Sequence, residues 1–93
     1  MNGTEKQIEF AENLMSQLKN GIKKEVDYAN DRSNRGTMPA NYAEIYETEK
    51  NNFFAKLDQL SDAGKIINEL KGNVQTFIQS FCQIADEKYE NNK

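Results

Sequence analysis

The chain has no histidine, no tryptophan, one cysteine and one proline among its 93 residues. Without histidine it lacks the side chain that most often serves as general base, metal ligand and pH switch near neutrality. No Ser-His-Asp or Cys-His arrangement can be assembled. The lone Cys82 excludes an intramolecular disulfide and any multi-cysteine metal site. Basic excess is missing too: 12 Lys and Arg stand against 15 Asp and Glu, a net charge of −3. That is the wrong sign for a protein gripping phosphate over its whole surface. No apolar run nears the roughly 18 residues of a membrane span. Met1 is followed by polar residues rather than an apolar signal core, so a cytoplasmic protein with no membrane partner is expected. The glycines are scattered and match no phosphate-cradling loop.

What is present is helical periodicity. Thr4 and Gln7 have the spacing of a capping box, in which the Thr hydroxyl and the Gln amide each satisfy the other's backbone N–H. Glu5 then sits where a carboxylate favours the positive end of the helix dipole. From Ile8, apolar residues recur at Ala11, Met15, Leu18, Ile22, Val26 and Ala29, three- and four-residue steps that keep one stripe on one helix face. Phe10 and Leu14 widen it. Gly21 interrupts the composition but not the register, which predicts one helix over about 5–33.

Residues 34–39 are dense in turn formers and include the only proline, so they read as a loop. A second helix is expected over about 40–60, with Pro39 in its first turn or Asn41 as its cap and Glu44 in the return position. Its stripe is Tyr42, Ile45/Tyr46, Phe53, Leu57 and Leu60. Ser61-Asp62 caps a short helix over about 62–71 carrying Ala63, Ile66, Ile67 and Leu70. Gly72 stops it and Asn73 caps a fourth helix over about 74–89. That helix presents Val74, Phe77, Ile78, Phe81, Cys82, Ala85 and Tyr89, and Glu90 to Lys93 are expected to fray. The fold class is therefore all-α, a single domain over 1–93: two long helices plus a short and a longer C-terminal one.

Catalytic, cofactor-binding and metal sites are not expected, and the chain does not read as an enzyme. Carboxylates such as Glu5, Glu9, Glu12, Glu44 and Glu47 lie at helical spacing on polar faces, where water usually suffices as their partner. Two surface features remain. Lys19, Lys23 and Lys24 continue into Arg32 and Arg35, a stripe that would suit phosphate or an acidic protein surface, the two arginines best because they donate in pairs. Tyr42, Glu44, Tyr46 and Glu47 set aromatic rings beside carboxylates, the composition of a protein-binding surface. Phe53 and Phe54 point about 100° apart on a helix, so both are buried only if the helix is covered on two sides; otherwise one is exposed, or buried in a second copy in a homodimer. Residues 62–89 have the outline of a helix-turn-helix, but the second helix carries no Lys or Arg before Lys88, which makes it a poor DNA reader.

The opening Gly3-Thr4-Glu5-Lys6-Gln7-Ile8-Glu9-Phe10-Ala11-Glu12 resembles the start of a group of small helical proteins from phages, plasmids and other mobile elements. Ser61-Asp62-Ala63, Lys65 and Ile67 resemble that group's second motif. The tryptophan pair usual there is absent, and Glu69-Leu70 stand where Asn-Arg is usual. The resemblance covers about a quarter of the chain. It implies a small accessory protein acting by binding, most concretely an anti-defence, anti-CRISPR-like inhibitor of a host nucleic-acid-guided nuclease. The alternatives are a nucleic-acid-binding accessory protein using the Lys19–Arg35 stripe, or a self-assembling structural helical protein.

Overall fold

The computed structural model describes residues 1–91, which form four helices: α1 (Glu5–Asn34), α2 (Ala40–Asp58), α3 (Ala63–Leu70) and α4 (Val74–Asn91). The all-α class holds. The only extended pairing among the described residues is a single parallel bridge between Asn2 and Asp62. The shape is a rod of 48 × 21 × 19 Å, and its length is set by α1, whose 30 residues at about 1.5 Å each span some 45 Å. Every other helix packs on this spine, and α2 also packs on α4. Lys19 meets Asp58 and Arg32 meets Tyr42, so α2 runs antiparallel to α1. Phe53 meets Phe81 and Tyr42 meets Tyr89, so α4 runs antiparallel to α2. No helix of the described residues is long and apolar enough to cross a membrane.

Both halves of the capping box at Thr4 form, at 3.2 Å to the Gln7 N–H and 3.0 Å back to the Thr4 N–H. The buried stripe of α1 runs through Ala11, Leu14, Leu18, Ile22, Val26 and Ala29. In its first half, Leu14 is buried while Met15 and Ile8 are only half-buried. Phe10 is left 43% exposed. The two motifs of the resemblance meet in space: the Asn2 N–H donates to the Ser61 carbonyl at 2.6 Å and the Ala63 N–H to the Asn2 carbonyl at 2.8 Å. Gly3 sits at φ +143°, with the Ala63 methyl 2.9 Å from where its own Cβ would be. One clasp thus holds the N-terminus to the start of α3.

The start of α2 differs from expectation. Pro39 occupies the N-cap position itself, outside the first turn, and supplies no side-chain cap. Asn41 lies within the helix and caps nothing. Leu60 falls beyond the end of α2 and is 37% exposed, so it leaves the predicted stripe. Asp62 caps α3 through the Lys65 N–H at 3.2 Å. Asn73 precedes α4 as predicted, and its carbonyl accepts from the Phe77 N–H. Its side-chain amide, however, turns back to donate to the Glu69 carbonyl at 3.0 Å, tying the end of α3 to the turn. Glu90 and Asn91 are helical rather than frayed; Asn92 and Lys93 lie outside the described residues.

Gly21 is part of a continuous α1, and its purpose is contact. A Cβ there would stand 2.2 Å from Ile78 Cδ1. The missing side chain lets Ile78 of α4, itself buried, seat directly against the α1 backbone. Phe53 and Phe54 are both half-buried, Phe53 against Phe81 with ring centroids 6.1 Å apart and Phe54 beneath the Lys19 ammonium at 5.3 Å. The two-sided cover that they require comes from α4 and α1, which removes the sequence argument for a second copy at this position.

Candidate functional site

Tyr42 and Tyr46, on the expected stripe of α2 and also candidates for a binding surface, point inward. Tyr42 is 5% exposed and Tyr46 4%, because the face of α2 that carries them lies between α1 and α4. Their rings join an aromatic cluster: Tyr42 against Tyr46 at 4.9 Å, Tyr42 edge-on to Tyr89 at 5.1 Å, and Tyr46 edge-on to Phe81 at 5.8 Å. Such pairs add about 0.5–1.5 kcal/mol each beyond the area they bury. A buried hydroxyl needs a partner, and Asp86 of α4 supplies it. The Tyr46 hydroxyl donates to Asp86 Oδ1 at 2.6 Å, and the Tyr42 hydroxyl lies 3.3 Å from Tyr46 Oη and 3.4 Å from Asp86 Oδ1. Arg32 Nη1 donates to the Tyr42 oxygen at 3.3 Å. A cation at one end and a carboxylate at the other polarise the two hydroxyls in the same direction, which strengthens the chain. Burial, followed by the bond to Asp86, pushes the Tyr46 hydroxyl far above the usual phenol range.

The six predicted site residues therefore separate. Arg32, Tyr42 and Tyr46 form this interior network, with the Arg32 guanidinium also set over the rings of Tyr28 and Tyr42 at 5.7 and 5.4 Å. Arg35 is exposed and paired with Asp31 one turn back at 3.0 Å. Glu47 pairs with Lys50 at 3.0 Å, and Glu44 is exposed beside them. The tyrosine-and-carboxylate surface is not assembled, because helix geometry turns the rings and the acids to opposite sides of α2. The basic stripe is likewise engaged internally: Lys19 bonds to Asp58 at 2.7 Å, and Arg32 and Arg35 have the partners just described. Lys23, Lys24 and the paired but exposed Arg35 extend from it into water.

Three residues that the sequence did not single out do the joining. Asp86 links α4 to α2. Glu49, 8% exposed, takes an ion pair from Lys88 of α4. Glu25 of α1 stands beside Cys82. Asp86 and Glu49 occupy flank positions of their helices, one turn from the apolar stripe, and that position is the only signal they left in the sequence.

Between α1 and α4 runs a groove of about 670 Å³ with Ile78 and Cys82 in its floor and Glu25, Gln83, Asp86 and Glu87 along its sides. Burial, then the neighbouring Glu25 carboxylate, pushes the Cys82 thiol up to about 12. A neutral thiol is a poor nucleophile, so Cys82 is expected to react with iodoacetamide at pH 8 at least about tenfold more slowly in the folded protein than in urea. The raised thiol also has a stability consequence. The folded state keeps the proton after the unfolded chain has lost it, so stability is full below about pH 8.5 and falls as pH rises towards 12. Urea midpoints across that range should decline for the native chain, and Cys82→Ala should remove part of the slope.

Among the described residues, no group of three or more His, Cys, Asp or Glu side chains is arranged to hold a metal ion. Comparison with protein-family models, curated proteins and solved structures finds no match for this chain.

Proposed function

We propose that this is a non-enzymatic binding protein that inhibits or regulates a protein partner, of the kind carried by mobile elements, with a host nucleic-acid-guided nuclease as the most concrete target. The observation that carries this reading is the pairing of the basic stripe. Lys19, Arg32 and Arg35 are held by Asp58, Tyr42 and Asp31, and the chain keeps a net charge of −3. Phosphate binding draws its affinity from cations free to displace counterions. Engaged cations on an acidic rod favour a protein partner over nucleic acid. The inhibitor would act by occlusion, presenting carboxylates to a cationic surface that the target uses for its nucleic acid.

Two measurements test this. Anisotropy titrations with mixed-sequence DNA and RNA at low salt should show no saturable binding; clear salt-dependent binding would instead favour the Lys19–Arg35 stripe as a nucleic-acid contact. Expression in bacterial cells that carry a panel of guided nucleases should restore transformation by a targeted plasmid with at least one of them. Unrelieved interference across the whole panel would overturn the inhibitor reading.

A further inference from the structure

The α1/α4 groove combines an apolar floor with carboxylate walls, and that combination selects one chemistry of occupant. Ile78 and Cys82 give the floor contact area, while Glu25 projects from one wall and Asp86 and Glu87 from the other. Among the described residues, no lysine or arginine lines it; Lys24 stands on the adjoining stretch beside Gly21, and Arg32 beyond it is bonded to Tyr42. The walls are rigid, because Asp86 is fixed by two tyrosine hydroxyls and α4 is locked to α1 by the Gly21–Ile78 contact. Tyr28, one helical turn beyond Glu25 on α1, is 60% exposed with its ring braced by Arg32.

We infer that this groove is the docking site for an arginine-rich segment of the partner, its alkyl stems lying on Ile78 and Cys82 and its guanidinium groups donating to Glu25, Asp86 and Glu87. Arginine suits the site better than lysine because its planar fork donates twice to a carboxylate. The inference rests on the binding-protein reading and specifies where and through what chemistry that binding occurs.

The test uses the full chain and a fluorescein-labelled amphipathic peptide with arginines at i, i+3 and i+4 spacing, alongside a glutamine-for-arginine version. Glu25→Lys/Glu87→Lys changes the groove. Glu9→Lys/Glu12→Lys makes the same change in net charge on the exposed far end of α1, and circular dichroism establishes that both variants fold. The native chain should bind the arginine peptide and not the glutamine one. The groove variant should lose at least about tenfold in affinity and the distal variant under about threefold. Equal losses in the two variants would mean diffuse acidic attraction and overturn the inference, as would failure of the native chain to bind. In the transformation assay, relief of interference retained by the groove variant would discard the groove while leaving the inhibitor reading standing.

Discussion

Tyr46→Ala lowers unfolding stability by about 3–5 kcal/mol, the range for removing a large buried aromatic, and Tyr46→Phe by about 1.5–3 kcal/mol, the range for a hydrogen bond to a charged group. The ring fills the space between Tyr42 and Phe81, so its loss opens a cavity where α2, α1 and α4 converge. The hydroxyl donates to Asp86 across 40 residues of chain. Its removal leaves the carboxylate with the longer Tyr42 contact at 3.4 Å, which is why the phenylalanine variant loses only part of the total. Asp86→Asn keeps an acceptor oxygen and should cost less than Asp86→Ala, which leaves the buried Tyr46 hydroxyl without an acceptor. Urea denaturation followed by far-UV circular dichroism measures all four. A Tyr46→Ala cost under about 1 kcal/mol would show that the tyrosines are not part of the core. The result also limits how an interface can be mapped: alanine at Tyr42 or Tyr46 would weaken binding through lost stability as well as through lost contact, so conservative variants are the informative ones there.

Gly21→Ala destabilises the protein by about 1–3 kcal/mol, the usual cost of overpacking a core contact, although alanine is favoured over glycine by about 1 kcal/mol at an ordinary helix position. The new methyl would meet Ile78 Cδ1 at 2.2 Å and Cγ1 at 3.0 Å. Cδ1 carries the larger overlap, while Cγ1 at 3.0 Å needs a shift of only a few tenths of an ångström. Ile78→Val removes Cδ1. In the native background it costs about 0.5–1.5 kcal/mol; in the Gly21→Ala background it should cost nothing or stabilise. A double-mutant cycle reads the coupling directly. If Gly21→Ala proves more stable than the native chain, then α4 does not approach α1 as closely as described, and the groove beside it would be wider and less rigid.

The helices were legible because their signals are local. The capping box at Thr4 and Gln7, the Asp62 cap, the turn at Gly72 and the apolar period of α1 and α4 each lie within a few residues, where backbone hydrogen bonding and the 3.6-residue turn decide the outcome. The candidate site was less legible. Tyr42 and Tyr46 sit among Glu44, Glu47 and Glu49, a composition that suits a wet surface and a satisfied interior equally well. Their rings turn inward because that face of α2 lies between α1 and α4, and the buried hydroxyls are satisfied by Asp86, 44 and 40 residues away; nothing near α2 announces that partner. Lys19 reads as an available cation until Asp58, 39 residues on, is brought beside it. Gly21 reads as a flaw in α1 until Ile78 is seen against it.

The sequence alone therefore determined the all-α class, where the helices begin and end to within a few residues, and the apolar face each one presents. It also excluded histidine chemistry and any disulfide within these 93 residues, because those depend on which residue types exist at all. The tertiary structure decided which polar groups are interior and which face water. That choice depends on partners distant in sequence: burying a hydroxyl or a charge is tolerable only when a complementary group arrives from another helix, and helical periodicity carries no information about which group arrives.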